Sequence, residues 1–173
     1  MKMVFDVESN GLHGEGFAVG WCVVIEDKVI DHGYAFAPPS SPVVDPWVKE
    51  NVIGHLGQPT HNTPREVRNI FWAAWMQAKA QGATLWADCG WPVEANFLSA
   101  CISDDPEARA WEGPYPLYEI ATVFQTRGWD PNAHYPRLEG ETHHHPLGDA
   151  RHSARLLQKA LSGCATAVLQ CER

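Results

Sequence analysis

The sequence predicts an α/β fold, a mixed β-sheet that joins an antiparallel meander to parallel strands and is flanked by helices. Three observations predict it. Apolar, β-branched runs separated by turn signals fill residues 4 to 36. A long amphipathic helix opens with a complete start signal at Thr63. That helix runs directly into another apolar strand, the order that a crossover to a parallel neighbour requires.

The opening stretch, Val4-Phe5-Asp6-Val7-Glu8-Ser9-Asn10-Gly11-Leu12, reads as a short buried strand closed by an Asn-Gly turn signal. Phe17 to Ile25 is the second strand and Val29 to Phe36 the third, with Glu26-Asp27-Lys28 turning the hairpin. Ala37 to Pro42 is a loop by composition, and a short helix is expected from Asp45 as cap and Pro46 as first residue through Leu56. Thr63-Pro64-Arg65-Glu66 combines a Thr cap, Pro in the first position and Glu three residues after the cap. Val67, Ile70, Phe71, Ala74, Trp75 and Ala78 then form one apolar helical face ending near Gly82.

Ala83 to Ala87 follows as a strand too apolar for an exposed edge. Pro92 opens a helix with Val93, Phe97 and Cys101 inward, and Asp104-Asp105-Pro106 ends it. Tyr115 to Thr122 reads as a further strand, and Gly128 to Thr142, with little periodicity, as a loop. Leu147, Ala150, Ala154, Leu157 and Leu161 mark the last helix, which Gly163 ends.

With 173 residues, 45% of them hydrophobic, one domain spanning 1–173 is expected, its last ten or so residues forming a loose tail. No apolar run approaches the roughly 20 residues of a membrane span, and no basic-then-apolar segment opens the chain, so the expectation is a soluble, cytoplasmic protein. Five cysteines without a C-x-x-C pair fit reduced thiols rather than a disulfide framework or a zinc site. The formal net charge of −8 argues against holding nucleic acid by a broad basic surface. It leaves room for a few nucleotides gripped in a pocket where bound cations supply positive charge. Eight tryptophans would serve mostly the core and its rim, with one or two able to stack on bases.

On a strand, positions i and i+2 share a face, so Asp6 and Glu8 would project together. Such a pair repels unless a cation neutralises it, and hard oxygen donors suit Mg²⁺ or Mn²⁺. Further acids lie at a strand end (Asp88), at a helix start where a carboxylate also serves as a cap (Glu94), and early in the last helix (Asp149). Just before that helix stand His143-His144-His145-Pro146. A histidine of pKa near 6.5 beside a metal site is suited to accept a proton from an attacking water, and the competing readings are a solvated loop or an adventitious metal cluster.

These residues carry a resemblance. Asp6-Val7-Glu8-Ser9-Asn10-Gly11-Leu12, a strand–helix junction bearing an acid, and His144 with four residues before Asp149-Ala150 resemble, in order over roughly residues 3 to 160, the DEDDh 3′–5′ exonuclease superfamily of ribonuclease H-like fold. That superfamily includes oligoribonuclease, ribonuclease T and polymerase proofreading subunits. Leu85-Trp86-Ala87 followed by Gly90 and a helix-borne acid, with Trp47-Val48 ahead of the long helix, is similar to a compact bacterial exoribonuclease subfamily of mycobacterial type.

The resemblance implies hydrolysis at the 3′ end of single-stranded RNA with release of nucleoside 5′-monophosphates, using two Mg²⁺ or Mn²⁺ ions. It implies that Asp6 bridges both ions, that Glu8 binds one of them near the nucleophilic water, that Asp149 ligates the same ion, and that His144 is the general base. Aligning Phe97-Leu98 with the family's apolar pair puts Glu94, preceded by Val93, where relatives carry Asp after an aromatic residue; Asp88 is the competing candidate. Ser9, Asn10, Gly11 and Leu12 would contact substrate. A single-strand DNA exonuclease and a non-catalytic nucleic-acid-binding relative stand as alternatives, the latter because of the Glu94 substitution. Relatives are often homodimers, an expectation for which the sequence holds no interface signature, and no membrane partner is expected.

Overall fold

Residues 2 to 36 form the expected meander: β1 (Lys2–Ser9) pairs antiparallel with β2 (Gly16–Ile25), which pairs antiparallel with β3 (Lys28–Phe36). The structure, a computed structural model, describes residues 1–163. After the meander, α2 (Pro64–Ala80) crosses over and delivers β4 (Thr84–Ala87) parallel to β1. Its start is fixed as the sequence implies, with Thr63 accepting from the Glu66 N–H and Glu66 accepting in return from the backbone at Thr63. The short β5 (Tyr118–Glu119) adds in parallel, giving the order β3-β2-β1-β4-β5, a ribonuclease H-like mixed sheet flanked by helices.

Strand alternation divides the core between the two sheet faces. Met3, Phe5 and Val7 point to one side, where they pack with Phe71 and Trp75 of α2 and Phe97 and Cys101 of α3 (Ala95–Ser103). Phe71 is the hub there, its ring 5.0 Å from Phe5 and 5.4 Å from Phe97 between centroids. Such aromatic pairs contribute roughly 0.5–1.5 kcal/mol beyond their burial. Val4 points to the other side, with Trp86, with Ile120 and Phe124 of α5 (Ile120–Thr126), and with Ala150, Ala154 and Leu157 of α6 (Pro146–Leu161). Asp6 and Glu8 continue that second face, so β1 aims its two carboxylates at α6.

Two expectations are corrected. The strand read over Tyr115 to Thr122 is confined to β5, and α5 begins at Ile120. Ile120, Val123 and Phe124 are helically spaced, and burial against α6 overrides the β-favouring composition of the run. The helix expected from Asp45 to Leu56 stops as α1 (Pro46–Asn51), followed by a tight turn over Ile53–His55. Val52 between them, its φ stretched to −115°, is fully buried with Phe17 and Phe36, which ties the junction to the core. Asp105 also caps an additional short helix, α4 (Pro106–Arg109), beyond the end of α3.

Cys22 and Cys101 are buried free thiols and Cys89 an exposed one. Cys164, Cys171 and the expected tail lie outside the described residues. Among the described residues no helix is long and apolar enough to cross a membrane.

Candidate active site

The parallel ladder between β1 and β4 ends at Phe5 and Ala87, so Asp6 and Glu8 stand just past the carboxyl end of β4. In open α/β sheets this is where ligands gather. What closes the site is the approach of α6. Gly20 lies opposite Asp6 on β2, and a Cβ there would come within 2.1 Å of the Leu147 backbone nitrogen. Only a residue without a side chain lets the first turn of α6 lie this close to the sheet. Cys22 supports the contact one step along the same face, its thiol donating to the Ala150 carbonyl at 3.4 Å.

Asp149 stands in that first turn. Its carboxylate oxygen and those of Asp6 and Glu8 lie within 4.8 Å of one another, from positions more than 140 residues apart in sequence. Burial and crowding raise the proton affinity of Asp6 and Glu8. Burial is the largest cause for Asp6, whose pKa stands well above the ordinary carboxylate value, followed by the charges of Asp149, Glu8, Glu94 and Asp88. Glu8 is pushed up to about 8, by burial first and then by Asp149 and Glu94.

Asp88 and Glu94 flank this triad in different ways. Asp88 lines the same cleft, of about 290 Å³, as Asp6, Glu8, His144 and Asp149. Its pKa is raised, by burial first and then by Asp149, with Arg137 pulling it down. Glu94 ends a wide helical turn over Gly90–Glu94, broken at Trp91, that leads into α3. It makes no side-chain capping hydrogen bond to α3 and is buried. Its pKa reaches about 7 through burial, which outweighs the pull of the Glu94 and Val7 backbone N–H groups, and Asp88 adds to the rise. Neither oxygen joins the mutual 4.8 Å set.

The histidines occupy the loop entering α6. His144 adopts a left-handed backbone (φ 56°), a conformation that costs a side-chain-bearing residue roughly 1–2 kcal/mol. It lines the acidic cleft, with its ring edge-on to Trp47 at 5.1 Å and to His143 at 3.8 Å. Burial, then the His143 charge, holds its pKa below the ordinary value against the attraction of Asp149. His143 also lines the cleft, whereas His145 packs on Tyr34 at 4.5 Å.

The turn after β1 divides its labour. Ser9 donates to the Gly11 carbonyl at 2.8 Å, and both ends of the Asn10 amide are engaged by Val43 and Asp45, so these two side chains hold the turn. Gly11 and Leu12 join Glu8, Trp47, Val48 and Val93 around a second, more apolar cleft of about 320 Å³. Trp47 and Leu12 leave 54% and 64% of their surfaces exposed at its rim.

Two residues, one lining the acidic cleft and one behind its loop, carry no signal in the sequence. Arg137, from the aperiodic loop, donates through Nη2 to Asp149 Oδ1 at 2.5 Å. Glu141 anchors that loop to α6, accepting from Arg155, His152 and the Leu138 N–H. Burial opposes its ionisation, but these hydrogen bonds and the Arg155 charge bring its pKa down to about 2. A lone arginine in a loop without periodicity gives no sequence signal of where it lands.

The donor set fits a hard divalent cation: carboxylate oxygens, partly buried, close enough to share an ion and under mutual repulsion that a cation relieves. Glu8 binds its proton more tightly folded (about 8) than its ordinary 4.5, so its contribution is present below pH 4.5 and lost as pH rises through about 8. Without divalent ions the melting temperature should fall from pH 5 to pH 9. Mn²⁺ should raise it by several degrees more at pH 8 than at pH 5, because ligands shed protons on binding metal. A Mn²⁺ shift of equal size at both pH values would argue against the acidic cluster as the binding site.

No protein-family model matches the chain, and no curated protein matches it. Among solved structures, it is similar to exonuclease X in complex with 5′-overhanging duplex DNA, with 14% identity, 96% of this chain and 95% of that one covered, and a TM-score of 0.42. A full-length 3′-exonuclease is similar over 94% of this chain and 82% of its own, with 12% identity and a TM-score of 0.49. So is a 3′-exonuclease recognising the 3′ end of a histone mRNA stem-loop, with 10% identity, 94% of this chain covered and a TM-score of 0.49; the chain spans 64% of that protein's length. Likenesses this distant leave activity to be read from the site itself.

Proposed function

We propose that this chain is a divalent-metal-dependent 3′–5′ exonuclease of the DEDDh kind, acting on single-stranded nucleic acid and on RNA in preference to DNA. The single observation that carries the reading is the convergence of Asp6, Glu8 and Asp149 within 4.8 Å, in a cleft that His144 also lines. The preference for RNA rests on the resemblance of the motifs to exoribonucleases.

Divalent ions of the Mg²⁺ or Mn²⁺ type, when bound, would activate the attacking water and stabilise the leaving oxygen. Asp6, Glu8 and Asp149 are the residues to hold them, with Glu94 or Asp88 as the fourth acid. His144, kept neutral near pH 7 by its lowered pKa, accepts the proton from the water as the oxygen attacks phosphorus. The bond from phosphorus to the 3′ oxygen breaks, leaving a 3′-hydroxyl on the shortened strand and a nucleoside 5′-monophosphate. Trp47 and Leu12, at the rim of the apolar cleft that shares Glu8 with the acidic one, offer surfaces on which the terminal base can stack.

The test is digestion of 5′-labelled single-stranded RNA and DNA oligomers of one sequence with Mn²⁺, Mg²⁺ or EDTA. The expected result is a ladder shortening from the 3′ end, faster on RNA and absent in EDTA. Faster loss of DNA would reassign the substrate. Oligomer binding without cleavage in either metal would mark a binding module instead.

A further inference from the structure

Arg137 stands in the acidic cleft beside Asp149. Among the residues lining it, Arg137 is the one Lys or Arg, facing Asp6, Glu8, Asp88 and Asp149. A phosphodiester is itself an anion, and an acidic cleft repels it unless a fixed positive charge meets it. The guanidinium has five N–H groups in a planar fork suited to phosphate. One is given to Asp149 Oδ1 and one, at 3.1 Å, to the Glu141 carbonyl; the others meet no protein acceptor among the described residues.

The arginine is also held in place before any ligand arrives. Glu141, 7% exposed, receives Arg155 at 2.6 Å, His152 at 2.9 Å and the Leu138 N–H at 2.9 Å, which locks residues 137 to 141 onto α6. Such rigidity is what a binding group requires and a solvated surface arginine lacks. Arg137 also lines the adjoining cleft, with His134, His143 and His152.

We propose that Arg137 is a substrate-phosphate contact: it receives the 5′-phosphate of the 3′-terminal nucleotide and, when that position is empty, rests on Asp149. The inference builds on the exonuclease reading. It predicts a binding defect separable from metal affinity, so both are measured by calorimetry: Mn²⁺ alone, then adenosine 5′-monophosphate and adenosine in saturating Mn²⁺. Wild-type protein should bind the monophosphate more tightly than adenosine. Arg137→Gln should lose roughly 10–100-fold of that phosphate-dependent affinity, the scale of a charged hydrogen-bonded contact. Its Mn²⁺ affinity should stay within about threefold of wild type or tighten, since a competing cation is gone. Arg137→Lys should recover part of the loss, keeping the charge without the fork.

Undiminished preference for the monophosphate in Arg137→Gln, with Mn²⁺ binding intact, overturns the proposal and leaves the exonuclease reading standing. So does a loss matched by an equal loss of Mn²⁺ affinity, which would make Arg137 a residue that orients Asp149. Failure of the wild-type protein to bind Mn²⁺ at all would sink the exonuclease reading and this inference with it.

Discussion

Asp6→Asn should abolish turnover while leaving the protein folded and, without metal, no less stable than wild type. Asp6 is the most crowded of the acids: its pKa is raised by burial and by the four neighbouring carboxylates Asp149, Glu8, Glu94 and Asp88. Asparagine keeps the shape, removes the charge and offers a poorer donor to a divalent ion. If Asp6 bridges the ions, the loss should exceed the roughly 10²–10³-fold that removing a single oxyanion-hole donor costs. The melting temperature in EDTA should hold or rise, because a buried charge among like charges has gone. Activity and melting therefore move apart, which distinguishes a metal ligand from a residue the fold needs. A rate near wild type, or a large fall in melting temperature, would tell against the assignment.

The second large effect belongs to His144. His144→Ala should lower the rate by on the order of 10²–10⁴-fold, the range for a positioned general base, with Mn²⁺ binding preserved. His143→Ala should cost far less. His143 lines the cleft and stands edge-on to His144 at 3.8 Å, so its removal loosens the base without replacing it. The pH profile adds a check. Because burial and the His143 charge hold the His144 pKa below its usual 6.5, the acid limb of the wild-type profile should lie below that value and vanish in His144→Ala. Equal losses in the two variants would remove His144 from the base role.

The frame of the molecule was readable because its signals are local. The alternation of β1, the turn at Asn10-Gly11 and the capping box at Thr63 each depend on residues within a few positions of one another. Reading failed where tertiary contact overrides local preference. Ile120 to Thr122 favours a strand locally but is helical because α6 lies beneath it, and the helix expected through Leu56 ends where Val52 is buried with Phe17 and Phe36.

The candidate site divides along the same line. The pairing of Asp6 with Glu8 follows from strand geometry, and their meeting with Asp149 follows once α6 lies across that face, which Gly20 permits. Neither Arg137 nor the anchoring of its loop by Glu141 was legible, since both depend on how an aperiodic segment folds back on α6. Asp88 and Glu94 stay paired candidates for a physical reason: Asp88 lines the cleft, Glu94 is buried, and both raise the proton affinity of Asp6.

The most direct measurement is anomalous scattering from crystals soaked in Mn²⁺ and adenosine 5′-monophosphate. The expected result is Mn²⁺ bound by the carboxylates of Asp6, Glu8 and Asp149, with Glu94 or Asp88 nearby and the phosphate between the metal and His144. Mn²⁺ held elsewhere, with these three carboxylates carrying none, would contradict the metal-dependent nuclease account at its root.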